Sequence, residues 1–373
     1  MRLTGAQTEI KGGTFERNAS YSDRGIYGGF ARVDARSSGI TKADAAVSST
    51  LKIAGGSFEN LQSDIVGGMA DSNVGSGCDA PASAAAQGNR AEIAGGSFGE
   101  KKIDLYGGSA YARAESAAAA AAASDNEVAA NVGAFQYMYG GYAGAGTKSG
   151  AASAVASDNR IHLGDASASS LYGGYADVTT ETGSVNVVAE KNNVEGTASE
   201  ADEISGGKAY LYQGETTALP LTASFAENTV ALTGGKAKTV IGSNIYLANA
   251  KGAADLRAAR SSVTLKDVES DASAKLRGAY VYAPESAGDL KVTAEINAVT
   301  AEGAALSAKS IYGSHIETKA ANAGVTDITV KTSRVEAQGK ATEIVRGARI
   351  RQFPTKDRAA SYTATASKNK VAH

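Results

Sequence analysis

Residues 171–178 read LYGGYADV, and versions of this stretch recur along the whole chain. The ten copies read IYGGFA from Ile26, IVGGMA from Ile65, LYGGSA from Leu105, MYGGYA from Met138, LYGGYA from Leu171, ISGGKA from Ile204, VIGSNI from Val240, LRGAYV from Leu276, IYGSHI from Ile311 and VRGARI from Val345. The first glycines of successive copies are 39, 40, 33, 33, 33, 36, 36, 35 and 34 residues apart. A period in this range indicates a repeat architecture, in which each unit packs against its neighbours.

Two further segments complete each unit. One reads EIKGGTF up to Phe15, KIAGGSF up to Phe58, EIAGGSF up to Phe98 and NTVALTGG up to Gly235. The other is rich in Ala and ends in an Asn-x-Val or Asn-x-Ile step, whose asparagines are Asn126, Asn159, Asn192, Asn228 and Asn369. One unit is therefore about 35 residues long and contains three short segments joined by turns.

The alternation within these segments predicts β-strands. In LYGGYADV a period of two places Leu171, Gly173, Tyr175 and Asp177 on one face and Tyr172, Gly174 and Ala176 on the other. The run 117–123 consists of seven Ala residues and would favour a helix by propensity alone. It ends in ASDNEV just as the next copy ends in ASDNRI, so the repeat predicts a strand there.

Short strands that stack at a fixed period predict an all-β fold, a parallel β-solenoid of about ten coils of 33–40 residues. We expect it to be right-handed, with residues 1–373 forming a single repetitive segment of a longer protein. Stacked coils advance about 4.8 Å each, which gives a rod on the order of 50 Å. Equivalent asparagines are expected to form a hydrogen-bonded ladder. The equivalent tyrosines, expected to form a stack that serves packing, are Tyr27, Tyr106, Tyr139, Tyr172 and Tyr312.

The composition excludes several classes of protein. About a fifth of the 373 residues are Ala, 44 are Gly and none is Trp, which argues against a Leu-rich globular core. The net charge of −2 gives no electrostatic case for nucleic acid or an anionic membrane as a partner. Cys78 is the single cysteine and only three histidines are present, so we expect no disulfide, metal site or cofactor. No run approaches the roughly 18 apolar residues of a membrane span.

The alternation of LYGGYA-type and NxVxIxGG-type motifs resembles the passenger repeats of bacterial autotransporter proteins. The resemblance extends from Thr8 to Val371 and rests on the order of the motifs. It implies a β-helical rod that is secreted or held on the surface of a Gram-negative cell, often adhesive or self-associating. Host surfaces, glycans or further copies of the chain would then be its partners.

Three features that suggest chemistry are better explained by the repeat. Gly95 to Gly99 match the GxSxG pattern around Ser97, yet sister copies read GGSFE and GGTFE at the same repeat position. His162 and His315 stand alone in predicted strands, and an isolated histidine is usually a surface or satisfied residue. Glu200, Asp202 and Glu203 adjoin a motif boundary and are interpreted as a solvated loop. We therefore expect no catalytic residues.

A cluster of positive charge lies near the end of the chain and is the one candidate binding patch. It contains Arg346, Arg349, Arg351, Lys356 and Arg358. Arg349 and Arg351 share a strand face, from which they could contact a polyanion such as an acidic polysaccharide. A solvated outer face is the alternative interpretation of the same residues.

The sequence thus predicts a non-enzymatic structural or adhesive segment that extends a surface. The two longest repeat spacings are expected to place display loops at Arg32 to Ala46 and at Asp71 to Ala86. The alternative is an enzyme that acts on polysaccharides, or a glycan-binding module, built on a β-helix. Such an enzyme requires acidic and basic residues at neighbouring equivalent strand positions, and the sequence analysis identifies none.

Overall fold

The computed structural model describes residues 1–16, 25–37, 39–61, 63–99, 103–197, 200–214, 219–284, 288–319, 324–353 and 361–372. These residues form β-strands and connecting turns, without a helix. The strands in chain order are β1 Arg2–Ile10, β2 Thr14–Glu16, β3 Gly25–Tyr27, β4 Phe30–Ala35, β5 Ala43–Ile53, β6 Ser57–Asn60, β7 Asp64–Val74, β8 Ala82–Gln87, β9 Arg90–Ile93, β10 Ser97–Phe98, β11 Asp104–Ala114, β12 Ala119–Ser124, β13 Glu127–Ala130, β14 Ala134–Thr147, β15 Ala152–Ser157, β16 Arg160–Leu163, β17 Ser167–Thr180, β18 Val185–Glu190, β19 Asn193–Gly196, β20 Glu200–Gln213, β21 Leu221–Ala226, β22 Thr229–Thr233, β23 Lys236–Asn249, β24 Ala254–Ala259, β25 Ser262–Lys266, β26 Lys275–Ala283, β27 Leu290–Glu295, β28 Ala298–Lys319, β29 Val325–Lys331, β30 Arg334–Phe353, β31 Ser361–Ser367 and β32 Lys370–Ala372.

The chain is a parallel β-solenoid of about nine turns, which confirms the predicted fold class. Each regular coil contains a long strand, an alanine strand and a short strand, as in β14, β15 and β16. Equivalent strands of successive repeats pair in parallel, so that Tyr139 lies beside Tyr172 and Val128 beside Ile161. The ten motif copies mark the boundaries of nine full turns. The alanine run also forms a strand, β12, as the repeat predicts.

The long strand bends at its Gly-Gly pair, and this corrects the predicted division of faces. Leu171 and Ala176 both point inward, each into a different hydrophobic cluster. An unbroken alternation would place them on opposite faces, with one of them outside. Tyr175, expected beside Leu171, lies half-buried on the outer side. The direction of the side chains reverses at Gly173, which the strand pairing skips between Tyr172 and Gly174.

The bend divides the interior into two compartments. One, between the alanine strands and the second half of each long strand, is filled mainly by Ala in the first coils and by Val, Leu and Phe in later ones. The other, between the short strands and the first half of each long strand, contains Leu, Ile and Val. Small side chains thus suit a narrow interior, as the composition indicates.

An asparagine ladder separates the two compartments, as predicted. Asn192 is fully buried, and its Oδ1 accepts hydrogen bonds from the backbone N–H and Nδ2 of Asn159 at 3.2 and 2.9 Å. Its Nδ2 donates to the carbonyl of Ala156 at 2.8 Å and to Oδ1 of Asn228 at 3.0 Å. The residue before each ladder position adopts φ between 53° and 64°. These residues are Gly88, Asp125, Asp158, Lys191, Glu227, Arg260, Ile296, Thr332 and Lys368.

The second glycine of each pair leaves the space that the ladder asparagine fills. A Cβ on Gly174 would overlap the side chain of Asn192. Where the motif changes to Gly-Ser, the ladder residue changes as well: Ser243 faces Ser261, and their Oγ atoms are 2.6 Å apart. A larger residue at the motif position is therefore matched here by a smaller ladder residue, and the two side chains are hydrogen-bonded to each other.

The extra residues of the first two repeats form a corner as well as loops. Ile93 and Leu105 are 12 residues apart, whereas the equivalent Leu163 and Leu171 are 8 apart. Strands β2, β6 and β10 form a small separate sheet at this corner. Loops occur in both predicted display segments, at residues 36–37 and 39–42 and at residues 75–81. They are shorter than predicted because β4, β5, β7 and β8 continue the rod into both segments, and Cys78 in the second loop is buried.

A phenylalanine stack fills the same corner. Phe58 lies parallel to Phe15 and to Phe98, with ring centroids 4.8 and 5.0 Å away. Phe135 continues the stack at 5.3 Å from Phe98. Phe15, Phe58 and Phe98 are the aromatic positions of the GGTF and GGSF motifs, so the second motif encodes a packing column of its own.

Candidate binding groove

The bend at the Gly-Gly pairs creates a concave strip on the outer surface, which we call the tyrosine groove. Tyr106, Tyr139 and Tyr172 form its floor and are 7, 9 and 4% exposed, although they point away from both interior compartments. The rings of Tyr106 and Tyr139 stack with centroids 4.6 Å apart and an interplanar angle of 9°. Tyr139 and Tyr172 are 5.4 Å apart.

A second row of tyrosines lies beside the first. Tyr142 and Tyr175 stack at 5.3 Å with an interplanar angle of 5°, and each meets the ring of Tyr139 edge to face. Tyr111 contacts Tyr142 at 4.9 Å. Burial raises the pKa of Tyr111 to about 12, and it raises the pKa of Tyr142 further, so both phenols are neutral at physiological pH.

The predicted tyrosine stack is confirmed for three of its five members. Val66 occupies the equivalent position between Tyr27 and Tyr106. Three residues interrupt the column between Tyr172 and Tyr312, namely Ser205, Ile241 and Arg277. The second row was missed by the sequence analysis, although its signal is the tyrosine that follows the glycines in MYGGYA and LYGGYA.

A lysine closes the tyrosine-rich part of the groove. Lys208 Nζ donates to Tyr172 Oη at 3.0 Å and to Glu203 Oε1 at 2.9 Å, and it lies 4.4 Å from the centre of the Tyr172 ring. Glu203 and Asp202 belong to β20, and Asp202 accepts from Lys238 at 2.6 Å. The expectation of a solvated loop at Glu200 to Glu203 is therefore wrong, because the first half of a long strand occupies these residues.

Beyond Lys208 the groove contains charged side chains that lie next to aromatic rings. Arg277 is 8% exposed and lies 4.0 Å from the centre of the Tyr280 ring. His315 is buried rather than on the surface, 3.2 Å from Glu317 Oε1, and burial lowers the pKa of its imidazole. The contact with His315 is the main reason that the pKa of Glu317 falls to about 2, and Tyr280 also donates to Glu317 at 2.7 Å.

Three residues of the predicted arginine patch line this end of the groove. Arg349 Nη1 donates to Tyr312 Oη at 2.6 Å, and Arg351 lies 3.8 Å from Glu317. Arg346 is exposed at the position equivalent to Tyr312. Arg349 and Arg351 share a face as predicted, but part of their charge is engaged by Tyr312 and Glu317. The remaining two, Lys356 and Arg358, lie outside the described residues.

Two carboxylates meet at the other end of the groove. Asp64 and Asp104 occupy equivalent positions on β7 and β11, directly before the paired Ile65 and Leu105. Burial, followed by the charge of Asp64, raises the pKa of Asp104 to about 6, and burial also raises the pKa of Asp64. The expectation was that acidic and basic residues do not recur at neighbouring equivalent positions, and this pair corrects it for the acidic residues. The aspartate before IVGG and LYGG was the available signal.

The other residues weighed for chemistry occupy ordinary repeat positions. Ser97 is exposed on β10, and its backbone N–H donates to the carbonyl of Gly56 at 2.9 Å. His162 is exposed and lies 3.2 Å from Glu195. No group of three potential metal ligands occurs among the described residues. The part of the chain that the structure describes holds no helix long and apolar enough to cross a membrane.

Comparison of this chain with protein-family models, with curated proteins and with solved structures finds no match. The groove is therefore interpreted from its own geometry.

Proposed function

We propose that this chain is a structural and adhesive segment of a bacterial surface protein, similar to an autotransporter passenger. The observation that carries the proposal is the tyrosine groove on a regular rod. About nine coils repeat one backbone design, while the groove stacks the tyrosine side chains of three successive coils on the outside. Tyrosine offers a large contact area and a hydroxyl at low conformational cost, which is why it is enriched at recognition surfaces.

Adhesion can be tested with particles coated with the chain. We expect them to bind to polysaccharide-coated or epithelial surfaces, and the double variant Tyr142→Thr/Tyr175→Thr to bind at least tenfold less. Both positions lie on the outer side of adjacent long strands, where Thr is compatible with the strand.

The matched control is Ala122→Thr/Val155→Thr, an adjacent outward pair on the alanine strands. This pair should leave adhesion unchanged. Absence of adhesion by the unaltered chain, or equal adhesion by the two double variants, would contradict the proposal. Antibody labelling of intact cells that express the chain tests the surface location separately.

An enzyme that acts on polysaccharides is the second candidate, and Asp64 with Asp104 is the observation that favours it. Acid catalysis of glycoside cleavage uses a pair of carboxyl groups, one of which has a raised pKa, and the pKa of Asp104 is raised to about 6. Release of new reducing ends from polysaccharides, abolished by Asp104→Asn, would establish this activity. If the chain is adhesive and not an enzyme, neither the unaltered chain nor Asp104→Asn should release reducing ends.

A further inference from the structure

One coil of the groove lacks outward side chains at two positions. Gly144 on β14 lies between Tyr111 of the preceding coil and Asp177 of the following coil. The rings of Tyr111 and Tyr142 cover Gly144, whereas Gly146, two residues later on the same outer side, leaves its position empty. No other coil among the described residues has glycine at both positions.

The missing side chains open a cavity of about 530 Å³, which we call the glycine notch. This volume lies within the range of about 300–1,000 Å³ that is typical of small-molecule sites. Because neighbouring coils are about 4.8 Å apart, the two flanking coils are separated by about 10 Å. Side chains on those coils therefore leave room for a single ring between them.

One side of the notch is aromatic. The ring of Tyr111 leans over Gly144, where a Cβ would come within 3.1 Å of it, and it contacts Tyr142. Tyr142 and Tyr111 thus form an apolar wall that continues into the tyrosine groove. An apolar ring face can stack against such a wall.

Opposite charges flank the notch. Arg113 is exposed on the preceding coil, and Asp177 is half-buried on the following one, where Tyr142 Oη donates to its Oδ2 at 3.2 Å. Among the described residues, none forms an ion pair with Arg113. Lys148 and Glu115, which close the end of the notch, neutralise each other at 2.5 Å. A guanidinium and a carboxylate therefore face the opening with donors and acceptors to spare.

We propose that the glycine notch binds a neutral hexopyranose residue of a polysaccharide. A pyranose has an apolar ring face for Tyr111 and hydroxyls that can donate to Asp177 and accept from Arg113. A sugar acid would be attracted by Arg113 but repelled by Asp177, and an amino sugar cation would meet the reverse, so the two charges together favour neither sign and suit a neutral ring. This inference rests on the proposed adhesive function and names its ligand class.

The test uses a variant that fills the notch without disturbing the fold. A Cβ on Gly146 would meet nothing nearer than 4.0 Å, and Thr favours strands, so Gly146→Thr should fold at least as well as the unaltered chain. The probes are methyl glycosides of glucose, galactose and mannose, together with their neutral hexasaccharides. Saturation-transfer NMR detects binding, and tyrosine fluorescence gives the dissociation constant because the chain contains no Trp.

We expect at least one neutral series to bind and Gly146→Thr to weaken that binding at least tenfold. The matched control, Ala120→Thr, places the same side chain at an exposed outward position of β12 and should bind as the unaltered chain does. Absence of binding by every probe, or equal binding by Gly146→Thr, would overturn the proposal. If coated particles still adhered in that case, only the notch would be refuted, whereas loss of both would refute the adhesive function too.

Discussion

At the scale of single residues, the pairing of Asn with Gly fixes the cross-section of the coil. Asn192 fills the space that Gly174 leaves, and it satisfies backbone groups that would otherwise be buried without partners. The later coils solve the same problem with Ser243 and Ser261, so the chain contains its own alternative solution.

This exchange predicts a strong coupling between two positions. Asn192→Ser should destabilise the fold by about 2–4 kcal/mol, because it withdraws partners from Asn159 and Ala156. Gly174→Ser alone should destabilise it through overlap with Asn192. Together the two changes recreate the Ser243–Ser261 pair, and we expect them to recover about 1–3 kcal/mol relative to the sum of the single changes.

The coupling is measured by a double-mutant cycle in urea unfolding. The control cycle combines Gly174→Ser with Asn126→Ser, a ladder residue that faces Gly108 instead. That cycle should be additive. Additivity of the first cycle would show that Asn192 and Gly174 do not exchange volume.

The carboxyl group of Asp104 predicts a pH dependence of stability. Its pKa rises from 3.8 to about 6 in the fold, so the folded protein keeps a proton that the unfolded chain has released. Stability therefore falls as pH rises between about 4 and 6. Asp104→Asn should remove this loss, with a higher melting temperature than the unaltered chain at pH 7 and little difference at pH 3.5.

Thermal melts across this pH range check the sign. Asp165→Asn, at an exposed aspartate, serves as the control and should follow the unaltered chain. A stabilisation by Asp104→Asn that is the same at pH 3.5 and pH 7 would contradict the assignment.

At the scale of elements, the alanine strands show how tertiary contacts override propensity. Residues 119–124 carry almost only Ala, yet they lie between the parallel strands β8 and β15, which supply hydrogen bonds on both sides. The inward residues of β12 face other small side chains, so this compartment is thin. The same strand has an outward row that is free of this constraint.

The two rows of β12 should differ in their tolerance of a large side chain. Ala121 is 3% exposed, and Ala121→Leu should cost about 1–3 kcal/mol by overpacking the thin compartment. Ala120→Leu, one residue earlier on the exposed side, should change stability by less than about 0.5 kcal/mol. Chemical denaturation compares the two, and equal effects would place the inward face elsewhere.

At the scale of the whole molecule, stability comes from stacking of equivalent coils. Because successive coils are equivalent, removal of one whole period leaves the remaining coils stacked in register and preserves every ladder. Gly140 and Gly173 are 33 residues apart and lie beside each other in neighbouring coils. The rod should therefore tolerate loss of one period.

Deletion of residues 142–174 joins Gly141 to Tyr175 and should give a folded rod about one coil shorter. We expect a β-type circular dichroism spectrum, a cooperative melt at a slightly lower temperature, and a maximum dimension in X-ray scattering smaller by about 4.8 Å. Deletion of residues 142–158 is the control, because it removes half a period and breaks every column. A folded product from the half-period deletion alone would contradict the stacking model.

The sequence by itself determined the period, the parallel solenoid and the positions of the asparagine ladder, because the same local pattern is repeated in every coil and each copy supports the others. It also placed Arg349 and Arg351 on one face. The inward and outward sides were decided only by the tertiary structure. The Gly-Gly bend reverses the alternation of side chains. It forms where Asn192 fills the space beside Gly174, and that contact joins residues from two walls of the coil. The repeat already places Asp64 beside Asp104, whereas the tyrosine groove and the glycine notch lie on the outer side of that bend, so their shape could be identified only once the walls had been brought together.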